Sequence, residues 1–592
     1  MKIFKEPRHT IQPILNWLNR HSLFIASCFL LVFIPLYPKL PLFDIIPGYI
    51  VRVRIEDILV LGVCIWWIAH LLRGRIQWKT PYNLIVGLYA IAGAAAIVSG
   101  IFITKTIPLE LLHVGKSILH YLRYLEYFSL LFIAATTAPR KHTAKIVVFV
   151  LALTLALVAI YGIGQKYLYW PVYSTMNREF SKGIRLYLTE HARVQSTFGG
   201  HYDLAAYLVV ILPVILTAAF QTNHRVLKTG LWLCFTLGLW LLTVSASRSS
   251  FLAFIGAASI SIILYSLTKK NILSKMKFIF ANGLIFGILL TIMLSLFGQD
   301  IQQRMLQTLE GYPELNAWYH TTNAKRKLVA EQYLPDLSSF FASKPPAGAL
   351  STDDLAVMVA SDQRPVTTKP SPSPMPTNRP SDVFFEVSEQ VPVSTISASG
   401  AAQTIIVEKP PTYSEAALRH GLSSAIRLDT LWPRALQGFY RNPVFGSGYA
   451  TLTKETITQF TEAESTDNNF LRTLGETGLF GFVTFYGTIV LTAMIAWRLA
   501  KVGIFSHQPT LETALGIGYI CATLGLLVNA VYIDVFASSK VAFTYWSLAG
   551  VITAIWSHSN TSPAVLPKTK QPEQSMFKQS RTRKKNKSRR KS

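Results

Sequence analysis

Long apolar stretches separated by short polar loops dominate this chain. A helix needs about 20 apolar residues to cross the hydrocarbon core of a membrane. Twelve stretches approach or exceed that length, at 23–42, 56–72, 82–103, 118–136, 145–168, 202–220, 229–244, 249–267, 276–298, 478–499, 512–532 and 540–557. The two stretches 229–244 and 249–267 are separated by only a short polar break and alternatively form a single hairpin. The pattern predicts an all-α polytopic membrane protein with about 12 transmembrane helices.

Two of the intervening loops are too long to be simple connectors, namely 168–200 and 299–477. Within the second, residues 344–412 are rich in Pro, Ser, Thr and Ala, as in KPSPSPMPTNRPSD. Such a composition buries too little apolar surface to offset the entropy of ordering. We therefore expect a disordered insert, with a strand or two where it reads DVFFEVSEQVPVSTI.

The flanks of this insert, 300–333 and 414–442, carry helical spacing and predict a small helical cap over the bundle. The sequence thus predicts four parts, which are an N-terminal bundle of about nine helices at 1–298, an extracytoplasmic loop at 299–477, C-terminal helices at 478–557 and a basic disordered tail at 558–592.

Composition supports the membrane assignment. Of the 592 residues, 51% are hydrophobic and 15% are charged, whereas a soluble globular protein carries about 25% charged residues. The four cysteines, Cys28, Cys64, Cys234 and Cys521, all fall in apolar stretches without metal-binding spacing. Neither a disulfide nor a metal site is predicted.

The net charge of +26 is concentrated in the tail and in alternate short loops. The basic loops contain Arg73, Arg75 and Lys79; Arg140, Lys141 and Lys145; Arg225 and Lys228; Lys269, Lys270, Lys275 and Lys277; and Arg498 and Lys501. By the positive-inside rule these loops are cytoplasmic, and with twelve spans both termini are cytoplasmic as well. The tail is expected to contact anionic lipid head groups. Binding of nucleic acid or of another partner is the weaker alternative, and the absence of aromatic residues among the charges argues against nucleic acid.

Three polar segments are predicted at the outer side. In the first, Arg193 precedes Gly199, Gly200 and His201 at the start of an apolar stretch. A helix beginning there has free backbone N–H groups and a positive dipole end, so an anion site is one interpretation. A plain break in topology with incidental polar residues is the other.

The second segment, SASRSS, places Arg248 between two apolar stretches. An arginine near hydrocarbon is costly and usually functional, although snorkelling to outer phosphates is the alternative. Arg123 and Glu126 lie three residues apart and are expected to pair on one helical face as a structural element.

The third segment runs from RLDTLWPRALQGFYRNPVFGSG to ESTDNNFLRTLGETGLFG. Within it NPVFGSG, with Asn442-Pro443 and two glycines, is typical of tight turns. Asp467 stands just before an apolar helix and is a candidate N-cap residue.

These motifs, in this order, resemble the O-antigen ligase and polymerase family of bacterial envelope enzymes. The family has an arginine segment opening a span, matched by RVQSTFGGHYDLAAYLVVILP, and a Ser-Arg between helices, matched by SASRSS. After a long outer loop come segments matched here by WPRALQGFYRNPVFGSG and DNNFLRTLGETGLFG. The resemblance covers roughly residues 190–490.

The resemblance implies a glycosyltransferase of the cytoplasmic membrane that acts on its outer face without cofactor or metal. The donor would be a polyprenyl-diphosphate-linked oligosaccharide, and the acceptor a lipid-anchored sugar, another repeat unit or a protein. Besides these partners only membrane lipids are expected, and no nucleic acid.

A departing diphosphate needs fixed cations, and Arg193 and Arg248 are the first candidates. Arg427 and Arg434 would reach down from the cap, and Asn469 and Glu476 belong to the fourth motif and would bind substrate. Asp467 stands near the position where the ligases commonly carry a histidine, and it would act as the general base. His201 replaces the usual Pro-Asn and is a further catalytic candidate.

Two other classes remain open at this point. One is a transporter of lipid-linked glycan, for which polar residues spread through several mid-spans would be expected. The other is a non-catalytic membrane protein whose outer loop binds envelope glycan.

Overall fold

The computed structural model describes residues 8–44, 52–173, 186–189, 192–309, 350–351, 389–396, 402–409, 413–452 and 465–561. Helices account for most of these residues, as expected for an all-α protein.

The first nine helices form the N-terminal part of the bundle. They are α1 (Arg8–Leu36), α2 (Ile55–Leu72), α3 (Asn83–Val98), α4 (Leu111–Thr137), α5 (Thr143–Tyr167), α6 (His201–Gln221), α7 (Arg225–Val244), α8 (Arg248–Ser266) and α9 (Ile272–Phe297). A π-helical turn, Ser99–Ile103, extends α3.

The remaining helices begin with α10 (Gln299–Leu309), which follows α9 directly. Residues 413–452 contain three short helices, α11 (Glu415–His420), α12 (Leu422–Ala425) and α13 (Trp432–Arg441), with a π-helical turn at Ile426–Leu431. The chain then forms α14 (Asn469–Ser506), α15 (Leu511–Asn529) and α16 (Ser539–Thr561).

Nine helices in the described part of the chain are long and apolar enough to cross a membrane: α2, α3 with its π turn, α5, α6, α7, α8, α9, α14 and α15. Helices α1, α4 and α16 cover the other three expected stretches, and α4 carries Lys116, Arg123 and Glu126 within its apolar sequence. The protein is therefore a multi-pass helical membrane protein, while the count of twelve spans stays a prediction.

Helix α6 lies at the centre of the bundle. Every side chain from Leu204 to Ala219 is buried, and α6 packs against α7, α8 and α15. A helix that is apolar on all sides is stable only when surrounded by other apolar surface. Helix α9 lies at the periphery, where Phe286 and Met293 are its buried residues.

In the part of the chain that the structure describes, six short strands form three two-stranded sheets. Strands β1 (Pro41–Asp44) and β2 (Arg52–Arg54) pair antiparallel, and β3 (Leu186–Tyr187) pairs parallel with β4 (Leu350–Ser351). Strands β5 (Glu389–Ile396) and β6 (Ala402–Lys409) form an antiparallel hairpin.

The long outer loop agrees with its prediction in part. Helices occupy 415–441 as expected, and α10 occupies the start of the expected helical segment 300–333. The strand expected within DVFFEVSEQVPVSTI is confirmed as β5. Its partner β6 lies beyond that stretch, in the part of the insert expected to be disordered, where β-branched residues favour a paired strand. The tail beyond 561 and much of the insert lie outside the described residues, and the domain boundaries stay predictions.

The bundle has two chemically different ends. Helix α16 begins at Ser539 beside Arg123 of α4, and its last residues lie beside Arg140 and Arg498. At 1.5 Å per residue, these ends of α16 are separated by roughly the thickness of a hydrocarbon core. We call the end near Ser539 the cavity end and the end near Arg140 the basic end.

Candidate functional site

A cavity of about 410 Å³ lies at the cavity end, where α6, α14 and α16 begin. Its ionisable lining comprises four basic residues, three acidic residues and a histidine, namely Lys39, Arg54, Arg123, Arg472, Asp203, Asp467, Asp534 and His120. A volume of this size is typical of sites for small molecules, which span about 300–1,000 Å³. We call this space the polar cavity.

Helix α4 contributes one polar face to the polar cavity. His120, Arg123, Tyr124 and Tyr127 line it, and their spacing of three and four residues places them on one side of a helix. Lys116, one turn before His120, is buried. The α4 stretch therefore combines an apolar surface with a line of hydrogen-bonding and charged groups.

Carboxylates pair with the cations that line the polar cavity. Arg123 pairs with Asp57 of α2 and with Glu126 of α4 itself, whose Oε2 lies 3.0 Å from the Arg123 Nη1. The expected Arg123–Glu126 pair is thus confirmed. Lys39 pairs with Asp203 at the start of α6, with a distance of 3.1 Å from Nζ to Oδ2. The pairs with Asp57 and Asp203 join segments that are distant in sequence.

Arg472 and Asp534 form the innermost ion pair, with 3.0 Å between Nη1 and Oδ2. Arg472 Nε also lies 3.4 Å from Glu476 Oε1, one turn further along α14. All three residues are buried. A buried charge is tolerated only when paired and hydrogen-bonded, so this network is a permanent part of the cavity wall.

Asp534 also organises the segment that enters α14. Its carboxylate accepts hydrogen bonds from the backbone N–H groups of Thr466, at 2.9 Å, and Asn468, at 3.1 Å. Ser465 Oγ donates to the same carboxylate at 2.9 Å. The Asp534 side chain therefore holds the turn at 465–468 and also orients Arg472.

The expectation that Asp467 caps α14 is wrong. Asn468 is the N-cap residue, and its Oδ1 accepts a hydrogen bond from the N–H of Leu471 at 3.0 Å. Asp467 has a φ of 51°, in the left-handed region that Asp and Asn tolerate better than most residues. This backbone turn directs the Asp467 side chain away from the helix and into the polar cavity.

Replacing Asn468 by alanine is expected to lower the free energy of unfolding by about 0.5–2 kcal/mol, because the cap is lost. Asp467→Asn keeps the left-handed preference and removes one partly exposed ion pair, so its cost is expected below about 1 kcal/mol. Unfolding in detergent measures both. A larger loss for Asp467→Asn than for Asn468→Ala contradicts the assignment of the cap.

The helical cap reaches the polar cavity through Arg427. Its Nη2 lies 2.9 Å from Asp467 Oδ2, and its Nη1 donates to the carbonyl oxygen of Ser423 at 2.8 Å. The structure thus brings together two residues that the sequence assigned to one site. Arg434 lies on α13, partly buried, and does not line the polar cavity.

Asn469 and Glu476 hold the backbone around the cavity. Asn469 Nδ2 donates to the Tyr486 hydroxyl at 3.0 Å, and Asn469 Oδ1 accepts from the N–H of Phe536. Glu476 Oε1 accepts from the N–H of Ala450 at 3.0 Å. Both side chains are buried, and their observed contacts are structural; binding of substrate by either stays a prediction.

Two glycine-rich turns pack directly on each other behind the cavity wall. The N–H of Gly448 donates to the carbonyl oxygen of Glu476, and the N–H of Leu479 donates to that of Pro443. Gly446 and Gly478 have φ of 72° and 64°. The glycines of the third and fourth motifs therefore permit backbone contact between two segments of the outer loop.

Arg193 and His201 contact each other beside the cavity. Arg193 Nη1 hydrogen-bonds His201 Nε2 and lies 3.4 Å from the Tyr202 hydroxyl, and the guanidinium lies 5.8 Å from the Tyr202 ring centroid. Tyr202 lines the polar cavity, whereas neither Arg193 nor His201 does. Arg193 and His201 therefore lie behind Tyr202, one side chain away from the cavity surface.

Arg248 lies at the start of α8, where its Nη1 donates to the carbonyl oxygen of Arg304 on α10 at 3.0 Å. It does not line the polar cavity. The observed contact joins α8 to the beginning of the outer loop. Catalytic roles for Arg248, Arg193 and His201 stay predictions.

Sequence reasoning missed most of the cavity's charges. The sequence analysis predicted no role for His120, Arg472 or Asp534. Asp534 is nevertheless an isolated acid in an apolar region, which usually indicates a functional or paired residue. Buried Lys540 was missed too; its Nζ donates to the carbonyl oxygens of Pro35, Tyr37 and Thr197 at 2.7–2.9 Å. It ties the end of α1 to the segment that precedes α6.

Within the described residues, no three side chains of His, Cys, Asp or Glu converge as metal ligands. No protein-family model matches this chain, and no curated protein matches it significantly. The family resemblance of the four motifs therefore remains an expectation, and the chain is characterised by its fold as a multi-pass helical membrane protein with a charged cavity at one end.

Proposed function

We propose that this protein is a membrane glycosyltransferase that transfers or polymerises glycan from a polyprenyl-diphosphate-linked donor in the polar cavity. The observation that carries the proposal is the combination of a cavity of about 410 Å³ with four basic side chains at one end of a membrane bundle. A lipid-linked diphosphate donor needs a charged cavity at the membrane surface, because its lipid chain stays in the membrane while its diphosphate group lies outside the hydrocarbon.

The cations are suited to a departing diphosphate. Arg123 and Arg472 are anchored by carboxylates, so their guanidinium groups are oriented before substrate binds. Preoriented charges stabilise a leaving group without reorganisation during the reaction. Lys39 and Arg54 add two further cations to the cavity lining.

In the proposed reaction an acceptor hydroxyl attacks the anomeric carbon of the donor sugar. A C–O bond forms, the bond from that carbon to the diphosphate oxygen breaks, and the diphosphate leaves with the bonding electron pair. The hydroxyl proton passes to a general base. Asp467 and His120 are the two candidates. Asp467 is the most exposed of the three aspartates in the lining, with 33% of its side chain exposed against 24% for Asp203 and 7% for Asp534, and His120 is the histidine of the lining.

The site is proposed on the outer face of the cytoplasmic membrane, with both termini in the cytoplasm. This orientation follows from the basic loops, because Arg140, Lys141, Arg498 and Lys501 lie together at the end away from the polar cavity. Positively charged loops stay on the cytoplasmic side.

The proposal is tested by mass spectrometry of envelope glycans and lipid-linked intermediates in a deletion strain. Accumulated single repeat units indicate a polymerase, and accumulated long lipid-linked chains indicate a ligase or protein glycosylation. Unchanged glycans and intermediates overturn the proposal. Lipid-linked glycan trapped on the cytoplasmic side supports a transporter instead.

The base is identified by substitution. If His120 accepts the proton, His120→Gln is expected to lower the rate of transfer by about 10²–10⁴-fold, whereas Asp467→Asn has a small effect; the reverse holds if Asp467 is the base. His113→Gln is the matched control, since His113 lies on the same helix and faces Glu110 instead. Full activity in both His120→Gln and Asp467→Asn excludes both residues as the base.

A further inference from the structure

The basic end contains a second, larger cavity of about 860 Å³. Four segments form it, namely the loop before α5, the end of α14, the start of α15 and the end of α16. The proposed glycosyl transfer uses none of these segments. We call this space the basic groove.

Positive charge dominates the rim of the basic groove. Arg140, Lys141, Arg498 and Lys501 face a single carboxylate, Glu512, among its lining residues. All four of these basic residues are exposed. Helices α5 and α15 begin here while α14 and α16 end here, so the helix dipoles oppose one another and the side chains supply the positive charge.

The inner part of the groove is apolar. Leu499 and Ile555 are buried in its floor, and Trp556 lies beside them. The Arg498 guanidinium lies 5.7 Å from the Trp556 ring centroid, a cation–π contact that holds the charge above the apolar floor. The ligand that fits this surface has an anionic group joined to an apolar part.

An apolar stripe on α14 leads out of the groove. Val490, Met494 and Trp497 are 56%, 48% and 41% exposed, and their spacing of four and three residues puts them on one face that continues to Lys501. Such a face is stable against lipid chains. The stripe and the groove together therefore match the chains and the head group of one lipid.

From this arrangement we infer that the basic groove binds the phosphate-bearing head group of an anionic phospholipid, with the acyl chains lying along the α14 stripe. Basic pockets between helices at a membrane surface are suited to this class of lipid. The lipid would hold α14 and α16 together at the end far from the polar cavity. The inference does not depend on the proposed glycosyl transfer.

The test compares two variants that each lose three positive charges at the basic end. The groove variant carries Arg140→Gln, Arg498→Gln and Lys501→Gln. The control carries Lys270→Gln, Lys275→Gln and Lys277→Gln, which lie between α8 and the first turns of α9 and do not line the groove. Retained lipid is counted by native mass spectrometry, and binding is titrated with phosphatidylglycerol in phosphatidylcholine nanodiscs.

The full-length protein is expected to retain phosphatidylglycerol and to gain thermal stability from it. The groove variant is expected to bind it at least about tenfold more weakly, because three cations near the phosphate are removed, while the control stays within about twofold of the unaltered protein. Equal losses in the two variants overturn the inference, since they indicate general attraction to the membrane surface. Stabilisation by inorganic phosphate equal to that by phosphatidylglycerol also overturns it, in favour of a soluble anion.

Discussion

Replacement of Arg472 by alanine is expected to abolish glycan transfer and to lower the free energy of unfolding by about 3–5 kcal/mol. Arg472 is 7% exposed and lies between Asp534 and Glu476. Its removal leaves two buried carboxylates without their cation. The same guanidinium faces the polar cavity, so the proposed diphosphate site loses a charge as well.

The two effects of Arg472 are separable. Arg472→Lys keeps one positive charge in the wall but cannot reach Asp534 and Glu476 with a rigid fork, so it is expected to recover stability more fully than transfer. Arg441→Ala is the control for loss of an arginine, because Arg441 is exposed at the end of α13.

A double-mutant cycle with Asp534 tests the pair directly. The variant with Arg472→Ala and Asp534→Ala together is expected to be less destabilised than the sum of the single changes, since residues in one ion-pair network do not act additively. Unfolding in detergent, followed by heat or by denaturant, supplies the four free energies. Strict additivity contradicts a buried ion pair between these side chains.

Replacement of Gly478 by alanine is expected to lower the free energy of unfolding by at least about 3 kcal/mol. Gly478 has a φ of 64° and a ψ of −168°, and it breaks α14 into two segments. A Cβ built there lies 2.4 Å from the backbone carbon and oxygen of Val444. Both the backbone conformation and the contact with another backbone exclude a side chain.

Gly283→Ala in α9 is the matched control for this substitution. A Cβ at Gly283 meets no atom within 4 Å, and alanine favours a helix over glycine by about 1 kcal/mol. The control is therefore expected to leave stability unchanged or slightly raised. Similar behaviour of the two variants contradicts the close packing of the glycine turns.

The glycines show how much of the local structure the sequence motifs could predict. Gly446 and Gly448 were predicted as turn residues and have positive φ, whereas Gly478, which also has positive φ, was placed at the start of an apolar stretch. Their partners were not predictable, because Gly446 and Gly478 meet across more than 30 residues of chain, including segments without periodic pattern. Turn chemistry is local, whereas the contact between two turns is decided by the packing of whole helices.

The ion pairs around the polar cavity also include some that the sequence predicted and others that it did not. Arg123 and Glu126 were paired from their spacing alone, since neighbours on one helical face meet in any helix. Asp57, which completes that pair, comes from α2, and Lys39 meets Asp203 of α6. Nothing in a single sequence specifies which distant helix presents its carboxylate to a given cation.

The sequence by itself determined the class of this protein and the places of its helices. The membrane requires each spanning segment to satisfy its own backbone as a helix, so these helices can be predicted from the sequence one segment at a time. Only the tertiary structure decided which charges share the cavity: Arg472 and Asp534 line it whereas Arg248 does not, and Asn468 rather than Asp467 caps α14. A buried ion is stable only beside its partner, and that partner is chosen when the helices pack.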